Sequence, residues 1–224
     1  MEFMYSVVGF FAGGGIFMFP IALVLAVGAA MAAERYITLT RLGMKNRSAW
    51  AQIQPVIASG DFDKARALTQ NDDTAISLLL ASGLARQGAV RRREDVEVAM
   101  EESMMEIVPQ LEKRTHYLAT FANLATLLGL LGTVSGLIHA FGAVATVNPA
   151  DKANLLSASI SEAMNCTAFG LMTAVPFVFI HAFLQTKTIE LITNLEMAST
   201  KFLNAITERT AVRGQAKLGL VQSA

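Results

Sequence analysis

The chain is short of charge and almost without cysteine. Only 16% of its 224 residues are Asp, Glu, Lys or Arg, and the formal net charge is zero, whereas soluble domains carry about a quarter charged residues. Without a basic excess, nothing in the composition indicates a nucleic-acid partner. The single cysteine, Cys166, excludes an internal disulfide. The three histidines are isolated from one another in the sequence, so we predict neither a bound metal nor a cofactor.

What the chain has instead is three apolar segments long enough to cross a bilayer, which takes about 20 residues. They lie within residues 2–34, 114–151 and 157–185. The first lacks the basic start of a cleavable signal peptide, so we expect it to be retained as a membrane helix. The sequence therefore predicts an all-α integral membrane protein with three transmembrane helices, two of them extended into a cytoplasmic helical bundle.

The basic residues predict how these helices are oriented. The loop between the second and third spans carries Lys152 as its only Lys or Arg, and no basic residue precedes the first span. The other 17 of the 18 Lys and Arg residues fall on the opposite side. Since basic residues mark the cytoplasmic side, we expect the N-terminus outside and the C-terminus inside.

This topology divides the chain into six parts. We expect an N-terminal segment with transmembrane helix 1 over 1–33, a cytoplasmic helical domain over 34–114, transmembrane helix 2 over 115–150, a periplasmic loop over 151–156, transmembrane helix 3 over 157–186, and a cytoplasmic C-terminal helix and tail over 187–224. Within the cytoplasmic domain, Asp61 and Asp63 predict the start of one short helix. The run Asp72–Thr74 predicts the start of another, for which Gly88 is the expected end.

Two amphipathic stripes continue the second and third spans into the cytoplasm. The first comprises Val96, Met100, Met104, Ile107, Leu111 and Leu118, and the second Ile189, Ile192, Leu195, Phe202 and Ile206. The first stripe has no turn signal before span two, which predicts one continuous helix over about 92–147 with Pro109 as the candidate kink. Because both stripes need apolar partners, we favour an oligomeric bundle over one chain that buries both by itself.

One carboxylate stands inside the membrane segments. Glu162 is the only charged residue between Lys152 and Lys187, and a charge in a bilayer costs roughly 3 kcal/mol on insertion scales. It therefore favours an ion pathway, with a residue that merely reaches the membrane surface as the open alternative. The same helix carries the polar candidates Asn165, Cys166 and Thr167, whereas span two carries Gly129, Gly132 and Gly136 on one face, flanked by Thr133 and Ser135. For the glycines alone, close helix packing is the better interpretation.

These two motifs resemble the MotA/TolQ/ExbB proton-channel family. Residues 127–141 read LLGLLGTVSGLIHAF, and residues 161–179 read SEAMNCTAFGLMTAVPFVF. The family pattern has Gly-Thr-Val on one helix, then Glu-Ala, Thr-Ala, Gly-Leu and a later Pro on the next. The matching positions on the second helix are Glu162, Thr167, Gly170, Leu171 and Pro176. Three spans match the ExbB/TolQ branch better than the four-span MotA branch, and Thr126 stands where the family often has Pro.

The resemblance implies a non-enzymatic, ion-conducting motor subunit in the bacterial inner membrane. Five copies would surround single-span partner helices like those of ExbD or TolR, whose membrane aspartate carries the proton. Thr133 and Thr167 would line the pathway, and Glu162 would supply protons or tune that aspartate. The remaining pore-lining or packing candidates are Gly129, Gly132, Ser135, Gly136, Asn165, Cys166, Gly170 and Pro176. The output would reach a TonB- or TolA-like periplasmic protein, for transport or envelope maintenance.

Three alternatives stay open from the sequence. The same motor would run on sodium if the hydroxyls bound that ion, and a non-conducting scaffold would only stabilise a partner. The third is an intramembrane hydrolase using Ser135 and His181, which is disfavoured because Thr133 stands where a rhomboid-like motif needs glycine.

Overall fold

A computed structural model describes residues 14–87 and 93–222, with side chains described as far as Arg209. Over these residues the chain is helical without strands. The helices are α1 (Met18–Ser59), α2 (Phe62–Gln70), α3 (Ala75–Arg86), α4 (Arg93–Glu112), α5 (Thr115–Val144) and α6 (Lys152–Gln222). Stretches apolar and long enough to cross a membrane lie in α1, in the α4–α5 segment and in α6. The predicted all-α class with three candidate membrane helices is confirmed, and the orientation stays a prediction.

The helices form two compact units. The first contains the described residues up to Arg35 together with Arg114–Leu184, which bring in the start of α1, all of α5 and the first part of α6. The second contains Tyr36–Lys113 together with the chain from Gln185 onward. All the membrane residues singled out above from the motifs therefore belong to the first unit.

The short helices of the second unit begin where the polar residues predict. The Asp61 carboxylate accepts from the backbone N–H of Lys64 at 3.2 Å and caps α2. The Thr74 hydroxyl caps α3 by accepting from the Ser77 N–H at 3.4 Å. Asp72 supports this cap because its carboxylate accepts from the hydroxyls of Thr74 and Ser77, each at 2.8 Å. Both predicted starts are confirmed, and Gly88 lies outside the described residues.

Within the second unit, parts of the two stripes pack against the short helices. Met100 and Phe202 are 1% and 0% exposed, and a Cβ on Gly83 of α3 would meet both side chains. The Phe202 ring also meets the Phe62 ring edge-on, with centroids 6.0 Å apart. The contacts with α2 and α3 thus supply part of the apolar surface that the stripes need within one chain, and the oligomeric bundle stays a prediction. Ile189 of the second stripe is 55% exposed.

The predicted continuous helix over 92–147 was wrong. Lys113 and Arg114 form a turn between α4 and α5, and Arg114 has a left-handed φ of 67°. Pro109, the candidate kink, lies inside α4. The Nη1 of Arg114 donates to both carboxylate oxygens of Glu34 at 3.0 Å, which ties the turn to α1 within the first unit. Burial lowers the pKa of the adjacent Arg35 guanidinium, while the charge of Glu34 opposes this shift and that of Arg114 adds to it.

Candidate ion pathway

The glycines of α5 and α6 let the two backbones touch. A Cβ on Gly170 would lie 2.6 Å from the Ala125 carbonyl oxygen and 3.0 Å from the Cα of Gly129. A Cβ on Gly129 would lie 3.2 Å from the Cα of Thr167. Real Cβ atoms essentially never come within 3.0 Å of another atom, so a side chain at Gly170 would displace the backbone of α5, and one at Gly129 would require a shift of a few tenths of an ångström. The two glycines therefore lie in a close contact between α5 and α6.

The next glycines along α5 continue the same contact. A Cβ on Gly132 would overlap the Sγ of Cys166, and one on Gly136 would lie 2.8 Å from the Cβ of Ala163. Cys166 is 1% exposed, and it packs in an apolar cluster with Met18 of α1. These candidates lie in the contact between helices of one chain. Elsewhere on α6, Asn165 is half-buried and Pro176 is exposed within the helix.

The pathway threonines both donate to backbone carbonyls. The Thr167 hydroxyl donates across the helix contact to the Gly129 oxygen at 2.7 Å. The Thr133 hydroxyl donates to the Leu130 oxygen of its own helix, also at 2.7 Å. Since each hydroxyl has one proton and two lone pairs, both now offer an incoming group only acceptor sites. Thr126 likewise donates within α5, to the Ala122 oxygen at 3.1 Å, and α5 continues through this position.

Glu162 lies beside the chain that leads into α1. Gly15 has φ +72°, and a Cβ there would overlap the Oε1 of Glu162. The start of a helix carries N–H groups without intrahelical partners and the positive end of the helix dipole. A carboxylate beside Gly15 is thus placed where a negative charge is favoured. Glu162 itself is exposed on the surface of the single chain.

The Glu162 carboxylate borders a cavity of about 180 Å³ within the first unit. Its polar lining residues are Ser135 and His139 of α5 with Ser159 and Glu162 of α6. In the described part of the chain, no hydrogen bond or ion pair engages any of these four side chains. His139 was absent from the predicted site, although its position four residues after Ser135, on the same side of a helix, was a usable signal.

An apolar cluster lies in the first unit, about one helical turn beyond Glu162 along α6. Met18, Ile21, Cys166 and Phe169 are each at most 8% exposed and pack together. Ions do not cross such a region unaided, because moving an unpaired charge into an apolar interior is very costly. The polar cavity therefore does not continue as a channel through the interior of this part of the described chain.

The proposed serine–histidine pair is not brought together. Ser135 lines the cavity with Glu162, whereas His181 is nineteen residues further along α6, which is about 28 Å at the helical rise. Within the described residues, Ser135 also makes no hydrogen bond to the nearer His139. The nucleophile–base contact that a serine hydrolase requires is missing from this site.

Comparison with known proteins agrees with this architecture. Residues 71–197, more than half of the chain, match the MotA/TolQ/ExbB proton channel family. The chain belongs to this family. The matched region holds all of α5 and the three predicted pathway residues Thr133, Glu162 and Thr167.

Individual relatives place the chain in the ExbB/TolQ branch, as the motifs predict. It is 39% identical over 80 residues to the Tol-Pal system protein TolQ of Haemophilus influenzae, covering 36% of this chain and 35% of TolQ. It is 36% identical over 85 residues to TolQ of Pseudomonas aeruginosa, covering 38% and 36%. It is 32% identical over 114 residues to the biopolymer transport protein ExbB of Aquifex aeolicus, covering 50% and 72%. The chain thus spans about a third of the length of the TolQ proteins it matches.

Family membership and the three apolar helices make this a membrane protein. The named relatives are Tol-Pal and biopolymer-transport proteins rather than enzymes.

Proposed function

We propose that the chain is the channel-forming subunit of a proton-driven motor in the bacterial inner membrane. In this proposal, five copies surround a single-span ExbD/TolR-like partner, which passes the work to a TonB/TolA-like periplasmic protein. The observation that carries the proposal is the polar cavity at Glu162, which meets an apolar cluster within its own chain. A pathway that starts at this cavity has to continue along the outside of the unit, so a second chain is needed to complete it.

The threonine geometry supports a neutral carboxyl group as the moving carrier. Thr133 and Thr167 have committed their protons to Leu130 and Gly129, so they can accept a hydrogen bond from a protonated carboxyl group. A bare carboxylate needs donors and finds none at these hydroxyls. Protonation would therefore shift the preferred position of the partner helix, which is the two-state bias that a motor needs.

The membrane potential supplies energy on a matching scale. Moving one charge through 100 mV is worth about 2.3 kcal/mol, which is comparable to the free-energy difference that sets such a two-state equilibrium. Both hydroxyls together offer few oxygen atoms for a sodium ion, so we favour protons as the driving ion.

The test is ion flux through the complex reconstituted in liposomes with its single-span partner. Thr167→Val removes the donor to Gly129 and the acceptor in the pathway, so we expect proton flux to fall by about tenfold or more, as when a strong hydrogen bond is lost. Thr167→Ser keeps both functions and should conduct. Thr126→Val is the matched control, because the Thr126 hydroxyl bonds only within α5.

Three results would decide against the proposal. Unchanged flux in both Thr167→Val and Glu162→Gln, in complexes shown to be assembled, would exclude these residues from the pathway. A sodium current in place of the proton current would change the driving ion. A native mass spectrum without five copies of this chain would exclude the pentamer.

A further inference from the structure

The cavity beside Glu162 combines two titratable groups with two hydroxyls. Glu162 and His139 face it from α6 and α5, together with Ser159 and Ser135. Its other lining residues are Gly14, Gly15, Ile16 and Phe17 before α1, Gly132 and Gly136 of α5, and Ala163 of α6. The titratable thiol of Cys166 lies about one helical turn beyond Glu162 on α6, where its Sγ packs against Gly132. Apart from Glu162 and His139, no titratable or charged side chain lines the cavity within the described chain.

The cavity suits water. Its volume of about 180 Å³ leaves room for several molecules, given that one water occupies about 30 Å³ of liquid. Ser135, His139, Ser159 and Glu162 supply polar partners that nothing else in the described chain engages. Gly15, Gly132 and Gly136 also line the cavity and contribute no side chains of their own.

We propose that His139 and Glu162 are a proton-exchange pair, linked by water that Ser135 and Ser159 hold in this cavity. Histidine is the side chain that ordinarily changes charge between pH 5 and 8, so it can take a proton from outside water under physiological conditions. The proton then passes from the imidazolium through water to the carboxylate, leaving a neutral imidazole and a neutral carboxyl group. No other atom is transferred, and no oxidation is involved.

The proposal deepens the proposed function and rests on it, since it names the residues that load the pathway. It gives His139 a role that the sequence motifs do not assign. The proposal also gives a reason for the Glu162 carboxylate to lie beside Gly15, just before the start of α1. There it can reach outside water and still border the buried helix contact.

The first experiment needs only the full chain in lipid nanodiscs. The ring nitrogens of labelled histidines are followed by NMR as pH is varied, with His139→Gln used to assign the His139 signal. If the pair is coupled, Glu162→Gln moves the pH midpoint of His139 by about half a unit or more, as expected for loss of a nearby charge. The His181 signal is the internal control and should not move. An unmoved His139 midpoint would overturn the proposal.

The second experiment measures proton flux through the complex against external pH. His139→Gln should flatten the pH profile and lower the flux by about tenfold or more, the lower range of what a positioned proton-transfer group contributes. The matched control His181→Gln changes the same residue type in the same unit, away from the cavity, and should keep the wild-type profile. A wild-type profile in His139→Gln would refute the role in loading.

The two experiments separate failure of this inference from failure of the proposed function. If the wild-type complex does not conduct protons, the proposed function fails, while the NMR coupling still decides whether the pair exists. If the complex conducts protons and the pH midpoint of His139 is the same in the wild type and in Glu162→Gln, only the exchange pair is refuted.

Discussion

At the residue scale, the position of Glu162 depends on the residue opposite it having no side chain. Gly15 has φ +72°, and its missing Cβ leaves the space that the carboxylate oxygen occupies. Gly15 is required for two separate reasons. Its left-handed backbone disfavours other residues, and a side chain there would collide with the Glu162 carboxylate. A substitution at Gly15 therefore acts on Glu162 without changing any ionisable group.

We predict that Gly15→Ala displaces the Glu162 carboxylate. The left-handed backbone alone should cost about 1–2 kcal/mol of stability in an L-residue, and the overlap adds a shift of the carboxylate. Thermal unfolding in detergent measures the first effect, and the pH midpoint of the His139 NMR signal measures the second. Gly142→Ala is the control, because a Cβ there would meet nothing within 4 Å. Equal behaviour of the two variants would contradict the prediction.

At the scale of the elements, the contact between α5 and α6 holds Thr167 against the Gly129 carbonyl. The contact depends on the absence of a side chain at Gly170, where a Cβ would lie 2.6 Å from the Ala125 oxygen. Backbone atoms cannot move aside as the end of a flexible side chain can. The hydrogen bond of 2.7 Å is therefore a consequence of how closely the helices approach.

We predict that Gly170→Ala lowers stability by about 1–3 kcal/mol, the usual cost of overpacking a tight contact. It should also lower proton flux, because separating the helices breaks the Thr167 hydrogen bond. Gly43→Ala tests the general effect of alanine in a helix, since its nearest neighbour would be Leu191 at 3.5 Å. That variant should be neutral or more stable by up to about 1 kcal/mol. A stable, fully conducting Gly170→Ala protein would refute this account of the contact.

The turn at Arg114 combines a strained backbone with an ion pair, and a comparison of two variants isolates the effect of the backbone on stability. Arg114 adopts a left-handed φ of 67°, and its ion pair with Glu34 is 47% and 46% exposed. An exposed pair is worth about 0–1 kcal/mol, whereas glycine relieves about 1–2 kcal/mol of left-handed strain. We therefore expect Arg114→Gly to be more stable than Arg114→Ala by about 1 kcal/mol in thermal unfolding. Equal stability of the two variants would mean that the turn is not strained.

At the scale of the whole molecule, the membrane orientation follows from the charge distribution and can be tested with single cysteines. We use a Cys166→Ala background, because Cys166 is the only cysteine in the chain. Lys152→Cys should react with a membrane-impermeant maleimide in cells whose outer membrane has been opened. Lys45→Cys should react only after the inner membrane is also opened, since it lies on the side that carries 17 of the 18 basic residues. The reverse labelling pattern would invert the predicted topology.

Sequence reasoning was strongest for features that a short stretch of chain decides by itself. The length of an apolar run predicts a membrane helix, and Asp61 and Thr74 predict helix starts because a cap bonds within one turn. The family motif is equally local, since its Thr and Glu positions are spaced along two single helices. These features needed no knowledge of which segments meet.

The remaining features were decided by contacts between distant parts of the chain. Met100 and Phe202 of the stripes were buried within one chain because α2 and α3 pack against them. Likewise, α4 ends before α5 at a turn whose ion pair joins Arg114 to Glu34, eighty residues earlier. His139 joined the candidate site only because the residues before α1, together with α5 and α6, enclose one cavity with Glu162. Apolar length, caps and motifs are properties of neighbouring residues, so the sequence by itself determined the apolar spans, the starts of the short helices and the family. Cavities, tight glycine contacts and strained turns arise where separate helices pack, so only the tertiary structure decided them.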